Sequence, residues 1–248
     1  MFFSTLKEAI EISKKIIVNC DKRLIPLFKR SFNGNVIFEN DIKKVDEKEY
    51  DYHLPAGSLP SIFRNNLESF SNSSKGYLKA DKVKASEYRK KLLNGKNLKL
   101  IGISWQTKSN IQMASFRNIA LNDLVLKLNR KNIKLINLQY GDTSDEISNL
   151  KKNTGIEIVS IEGLDKKNDL DGIASLMSAC DLVVTIDNYT VHLAGSLGLN
   201  TKVLLPSSMD ARWGIEGKKS HLYNSINLYR QENLGNWSKV LKELKYAI

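Results

Sequence analysis

Cysteine is almost missing from this sequence: Cys20 and Cys180 are the only two in 248 residues, and they lie far apart. They form neither a Cys-x-x-Cys pair nor a Cys/His spacing, so no zinc motif, redox pair or disulfide framework is offered, and both are expected as small core residues. No metal site is expected. Long apolar runs are missing too. None approaches the roughly 20 residues needed to cross a bilayer, so the chain is not expected to span a membrane. The opening MFFSTLKEAIEISKK lacks the basic-then-apolar order of a secretory signal, and a cytoplasmic location is expected. No repeat of fixed period occurs, and the only low-complexity tract is a serine cluster near residue 71.

Acidic residues are in deficit, leaving a formal net charge of +11. The imbalance is N-terminal: residues 1–100 hold 20 Lys and Arg against 12 Asp and Glu, whereas residues 101–248 hold 18 against 15. A basic surface attracts nucleic acid, an anionic membrane face or phosphorylated substrates. The lysines are scattered among acids without an aromatic-spaced basic strip, so nucleic acid is not expected as a partner. Peripheral membrane contact through the basic N-terminal part stays open.

What is present is a β/α alternation. Residues 5–13 have helical spacing and 16–18 read as a short strand. Asp21 caps a helix over 21–32, with Pro26 in its first turns. Strands are expected at 36–38 and 50–54. The polar, Ser-rich stretch 68–82 approaches a boundary between two domains, placed at 1–96 and 97–248. After a helix at 83–93, strands are expected at 98–104, 133–138 and 156–161, and helices at 121–130, 146–153 and 169–179. A doubly wound α/β domain follows from that pattern. A last helix at 237–246 shows an apolar stripe of Trp237, Val240, Leu241 and Leu244.

The unit over residues 181–206 organises the rest. An uncharged apolar run at 182–186 stops at Asp187 and Asn188. A short helix begins near Thr190 and ends at Gly198, and a second apolar run covers 203–205. Such runs suit parallel strands buried on both faces. Ligands bind at the carboxyl ends of these strands, and a helix N-terminus there favours phosphate. Three loops therefore open onto one crevice. In SWQTKSN, Ser104, Thr107 and Lys108 would bind phosphate oxygens and Trp105 would offer a flat face; the alternative is a polar loop with a packing tryptophan. In LQYGD, Gln139 and Tyr140 suit a base or sugar edge, or simply a turn. In DNYTVH, Asp187 would accept sugar hydroxyls while Thr190 and His192 donate to a diphosphate, against the alternative of a buried, satisfied histidine. Arg212 and Trp213 follow in a loop that would reach the same crevice, as a phosphate fork and a stacking face, or else as a surface arginine and a packing tryptophan.

The segment CDLVVTIDNYTVHLAGSLG resembles the D-T-x-x-x-H-L-A-G-A-L-G run of GT-B glycosyltransferases related to the bacterial ADP-heptose:lipopolysaccharide heptosyltransferases. GISWQT, NLQYGD, ARWG, HLYNSINLYRQ and NW agree in order and spacing with the glycosyltransferase-like module that follows tetratricopeptide repeats in bacterial proteins. RLIPLFKRSF, DYHLPAGSLPSIF and GYLKADKVKASEYRKKL resemble its first domain and connector, so the resemblance spans essentially the whole chain. It implies two Rossmann-like domains with parallel sheets, the first truncated at its N-terminus. It also implies a nucleotide-diphosphate sugar as donor substrate and no cofactor besides. A glycan, a lipid-linked saccharide or a protein would be the acceptor. The implied donor-binding set is Ser104, Trp105, Thr107, Lys108, Gln139, Tyr140, Asp187, Asn188, Thr190, Val191, His192, Arg212 and Trp213.

Four departures from the family pattern stand out. Asn188 replaces the usual Thr after the key aspartate, and Tyr189 replaces a small residue. Gln106 stands where an arginine often follows the first-loop tryptophan, and Gly172-Ile173 where an Asp-Thr pair is common. The family's general base belongs to a glycine-rich G-x-G-D-E loop that would lie before Met1, so the resemblance assigns no catalytic residue here. Asp51 and Glu68 are substitutes that the sequence does not choose between.

Overall fold

A computed structural model of the chain describes residues 1–73, 76–107, 116–208 and 210–248. The N-terminal lobe opens with a 3-10 turn and helix α1 (Leu6–Ile12), followed by strand β1 (Ile16–Asn19). Asp21 caps a 3-10 turn by accepting the Arg23 N–H at 2.9 Å, and helix α2 (Ile25–Ser31) continues from it with proline in its first turn. This is the one part of a helix where the missing proline N–H removes no bond. Strand β2 (Val36–Glu39) lies parallel to β1 as a two-stranded sheet.

The strand expected at 50–54 is not formed. Tyr52 is 92% exposed, and Tyr50 and Leu54 are also at the surface, so the alternation has no apolar face to meet. Pro55 follows directly and lacks an N–H for a ladder. Helix α3 (Leu59–Phe63) and a 3-10 turn lead to the connector, and helix α4 (Lys82–Leu93) starts from Asp81, which accepts the N–H groups of Val83 and Lys84.

The larger sheet has six parallel strands: β3 (Lys99–Ser104), β4 (Ile133–Asn137), β5 (Ile158–Val159), β6 (Leu182–Ile186), β7 (Thr201–Leu205) and β8 (Ile226–Arg230). Their spatial order is β5-β4-β3-β6-β7-β8. This is the doubly wound arrangement, with the order reversing between β3 and β6. Strand β8 was not expected from the sequence; it pairs with β7 from Thr201↔Ile226 to Leu205↔Arg230. Its buried Ile226 and Leu228 alternate with the polar Asn227 and with Tyr229, too short a pattern to stand out without its neighbour.

Helices α5 (Leu121–Leu128), α6 (Ser144–Thr154) and α9 (Ser238–Tyr246) cover one face; α7 (Leu170–Ser178) and α8 (Tyr189–Ser196) cover the other, together with α4. Strand side chains sort by parity: Ile101 and Ile103 join the first face's core, whereas Leu100 joins the second. The second core does not end at the sheet. It runs on through Tyr77 and Leu78 of the connector into Phe28, Phe32 and Phe38 of the N-terminal lobe. Among the described residues no helix is long and apolar enough to cross a membrane. The fold is α/β and GT-B-like, with one six-stranded and one two-stranded parallel sheet among the described residues.

Candidate functional site

The carboxyl ends of β3 and β6 meet where the strand order reverses, with Ser104 opposite Thr185 in the ladder. Asn188, two residues beyond β6, joins the two ends. Its amide donates to Ser104 Oγ at 2.9 Å and its oxygen accepts the Thr190 N–H at 2.9 Å and the Thr185 hydroxyl at 3.2 Å. The residue that departs from the family pattern is thus both the cap of α8 and the tie across the crevice floor.

Gln139 is equally structural. Wholly buried, it accepts Ser104 Oγ and the backbone N–H groups of Trp105 and Gln106, each at 3.0 Å, and donates to the Tyr140 carbonyl at 3.2 Å. Its amide holds the first two loops together, and no edge is left to read a base. Trp105, 1% exposed, gives its indole N–H to Glu146 and has no open face, so the packing alternative holds for it. Val191 is in the core, and the Thr190 hydroxyl is buried without a hydrogen-bond partner.

A cleft of about 340 Å³ remains above this floor, lined by Thr107, Arg117, Tyr140, Asp187, Asn188, Tyr189, His192 and Arg212. Its volume falls in the range of small-molecule sites. One side is aromatic: the Tyr140 and Tyr189 rings meet edge-on at 5.3 Å, and the Tyr189 hydroxyl donates to the Lys166 carbonyl at 2.8 Å. The Tyr140 hydroxyl lies 3.4 Å from Thr107 Oγ1. Burial raises the Tyr189 phenol to about 12. The other side is charged. Arg117 Nη1 lies 3.6 Å from the buried Asp187 carboxylate, and Arg212 holds Asp210 at 2.6 Å. The Arg212 contact keeps the Asp210 carboxyl far below the usual range. A larger hollow of about 470 Å³ near the start of α9 gathers only Asp123 and Lys127 as charged groups and shares no lining residue with the cleft.

His192 is stacked on Trp213, ring centroids 5.4 Å apart and planes at 16°. Arg212 Nη1 is 3.2 Å from His192 Nε2, and the Tyr223 hydroxyl is 3.3 Å from Nδ1. A guanidinium only donates, so Nε2 accepts and the ring proton sits on Nδ1. Burial first, then the Met1 α-amine and Arg212, push the imidazole down to about 3. His192 Nε2 therefore accepts from Arg212 in this arrangement. It orients Arg212. Trp213, 1% exposed, backs that imidazole and leaves no stacking face for a base.

Of the residues expected at the site, Thr107, Tyr140, Asp187, Asn188, His192 and Arg212 line the cleft. Ser104, Trp105, Gln139, Thr190, Val191 and Trp213 form its buried support. Lys108 lies outside the described residues. Asp51 and Glu68 are exposed and line no part of the cleft. Arg117 was missed. It stands beside Asn118, whose side chain accepts the Thr107 N–H at 2.8 Å. The signal was an arginine-asparagine pair just before an apolar helix start. No cluster of three or more His, Cys, Asp or Glu able to hold a metal occurs among the described residues.

No protein-family model matches the chain. The GT-B-like fold finds its counterpart in the ADP-heptose LPS heptosyltransferase II of E. coli, with a TM-score of 0.65 over 99% of this chain and 93% of that one, at 14% identity. A glycosyl transferase family 9 protein of Veillonella parvula aligns over 98% of this chain and 70% of its own at a TM-score of 0.49 and 12% identity. In sequence the chain is similar to Protein FlbA of Caulobacter vibrioides, 28% identical over 242 residues. That match covers 92% of this chain, which spans only 40% of FlbA's length.

Proposed function

We propose that this chain is a glycosyltransferase domain that binds a nucleotide-diphosphate sugar in the cleft at the β3/β6 switch point. One observation carries the reading: two arginines and the capped start of α8 converge where doubly wound sheets take their ligands. The likeness of fold to a protein named as an ADP-heptose heptosyltransferase supports it. In this reading residues 97–248 form the donor side and residues 1–96 the acceptor side. The aromatic side of the cleft takes the nucleoside, and Arg117 and Arg212 take the diphosphate.

A hexosyl or heptosyl group would pass to an acceptor hydroxyl by a single inverting displacement. The acceptor oxygen bonds to the anomeric carbon, the bond to the diphosphate breaks with its electron pair, and the hydroxyl proton goes to a base. Arginines and helix N–H groups stabilise the departing charge, so the step is proposed to need no metal and no cofactor beyond the donor. The acceptor would be a glycan, a lipid-linked saccharide or a protein. The site would work in the cytoplasm of a bacterium within a longer, repeat-containing protein, with its basic N-terminal part able to rest on an anionic membrane.

A second reading is a binding module without turnover. It draws on Asp187 in the cleft and Asp210 beside it, both tied to arginines. Incubation with UDP-, GDP-, ADP-, CMP- and dTDP-sugars, with and without EDTA, separates the two. Release of one nucleotide, insensitive to EDTA, is expected for the transferase. Tight binding of a sugar nucleotide with no release, even after a G-x-G-D-E loop is added ahead of Met1, would leave the binding module.

A further inference from the structure

Both arginines of the cleft that should welcome a diphosphate are already paired with carboxylates. Among the described residues the charged side chains that line it are Arg117, Arg212 and Asp187, and Asp210, outside the lining, is paired with Arg212. The two acids are not equivalent. Asp187 is 3% exposed and lies 3.6 Å from Arg117, a fixed part of the floor. Asp210 stands at the rim, its side chain 37% exposed, and grips the guanidinium of Arg212 through Oδ2 at 2.6 Å while Oδ1 accepts the Arg212 N–H at 3.0 Å. Arg212 is also held from within, because His192 Nε2 takes Nη1 at 3.2 Å. The imidazole anchors the guanidinium, and the edge donating to Asp210 is the one an incoming oxyanion would need.

We propose that Asp210 is an internal stand-in for the ligand's phosphate on Arg212, and that it sets how much negative charge a ligand must bring to enter the cleft. A dianionic diphosphate outcompetes one carboxylate for a planar guanidinium fork; a neutral nucleoside or a singly charged ligand does not. An ion pair this exposed adds little stability, so exchanging it for a ligand costs little. Asp210 therefore acts as a filter for charge, and its place as the cap of a short 3-10 turn (Ala211–Trp213) returns it to Arg212 when the anion leaves. The inference rests on the cleft as an anion site and deepens the donor-site reading.

The test is calorimetric titration of the whole chain with inorganic pyrophosphate at fixed ionic strength. Asp210→Asn keeps an oxygen able to cap the turn but removes the charge, and Asp210→Ser does the same with a smaller side chain. Both should bind pyrophosphate about tenfold more tightly than the unaltered chain, as expected for deleting one unit charge a few ångströms from the bound anion. Adding Arg212→Gln should abolish the gain. Equal affinities with and without Asp210, a gain that survives Arg212→Gln, or no pyrophosphate binding to any variant would overturn the proposal. Tightening for pyrophosphate with no nucleoside diphosphate bound by any variant would uphold Asp210's role and sink the donor-site reading. Selective nucleotide binding that ignores Asp210→Asn would do the reverse.

Discussion

Asn188 and His192 show how single residues build the cleft. Replacing Asn188 by Ala removes the cap of α8 and leaves the Ser104 and Thr185 hydroxyls short of a partner at the crevice floor. The expected cost is about 1–3 kcal/mol, read as a lower urea midpoint with an unchanged slope. His192 predicts a pH effect whose sign is fixed. Its folded pKa of about 3 lies below the imidazole's ordinary 6.5, so the unfolded chain binds the extra proton between those values. Its contribution is full above pH about 6.5 and is lost as pH falls toward 3. His192→Gln should flatten this part of the acid limb in thermal unfolding scans at stepped pH; an unchanged limb would show that the imidazole titrates normally. The sequence made Asp187, Asn188 and Arg212 legible as crevice residues because strand-end position and residue type suffice. It could not show that Trp105 and Trp213 are sealed in, since that depends on Glu146 and His192 arriving from other elements.

Between elements, the connector is fastened to the far end of α8. The Tyr77 and Leu78 N–H groups both donate to the Ser196 carbonyl, at 2.8 and 2.9 Å, and Ser196 Oγ bonds the Tyr77 hydroxyl at 2.7 Å. Gly76 permits this approach. Its φ is +78°, and a Cβ there would lie 2.6 Å from the Gly198 nitrogen. Gly76→Ala should cost about 2 kcal/mol or more through backbone strain and overpacking, measured by denaturant unfolding. A neutral result would mean that the connector is not seated on α8. Most elements could be read from periodicity because α5, α7 and β3–β7 carry dense apolar patterns. The failures were sparse ones: residues 50–54 alternate but have no face to bury, and β8 is half polar and becomes a strand by pairing with β7.

Across the whole molecule, the two parallel sheets are joined by a shared core and by charges. Arg30 of α2 makes a two-bond fork to Asp171 of α7, at 2.6 and 2.8 Å, and Arg23 donates to the Lys167 carbonyl at 3.0 Å. Asp171→Ala should lower stability by about 1 kcal/mol, as the fork is still partly open to solvent, and should speed hydrogen exchange in α2 more than in β6. Uniform exchange rates would argue that the aromatic cluster of Phe28, Phe32 and Phe38 alone holds the N-terminal lobe. The doubly wound order was legible from the β/α alternation and the family resemblance. The continuous core through Tyr77 was not, because contacts between distant segments leave no local pattern. The central claim is that the β3/β6 cleft binds a nucleoside diphosphate. Thermal unfolding against UDP, GDP, ADP, CMP and dTDP tests it most directly, since a ligand at 100 times its Kd stabilises by about 2.7 kcal/mol. The account predicts a shift with one base class, lost in Arg212→Gln and in Asp187→Ala. No shift with any nucleotide, or a shift that survives both substitutions, would contradict it.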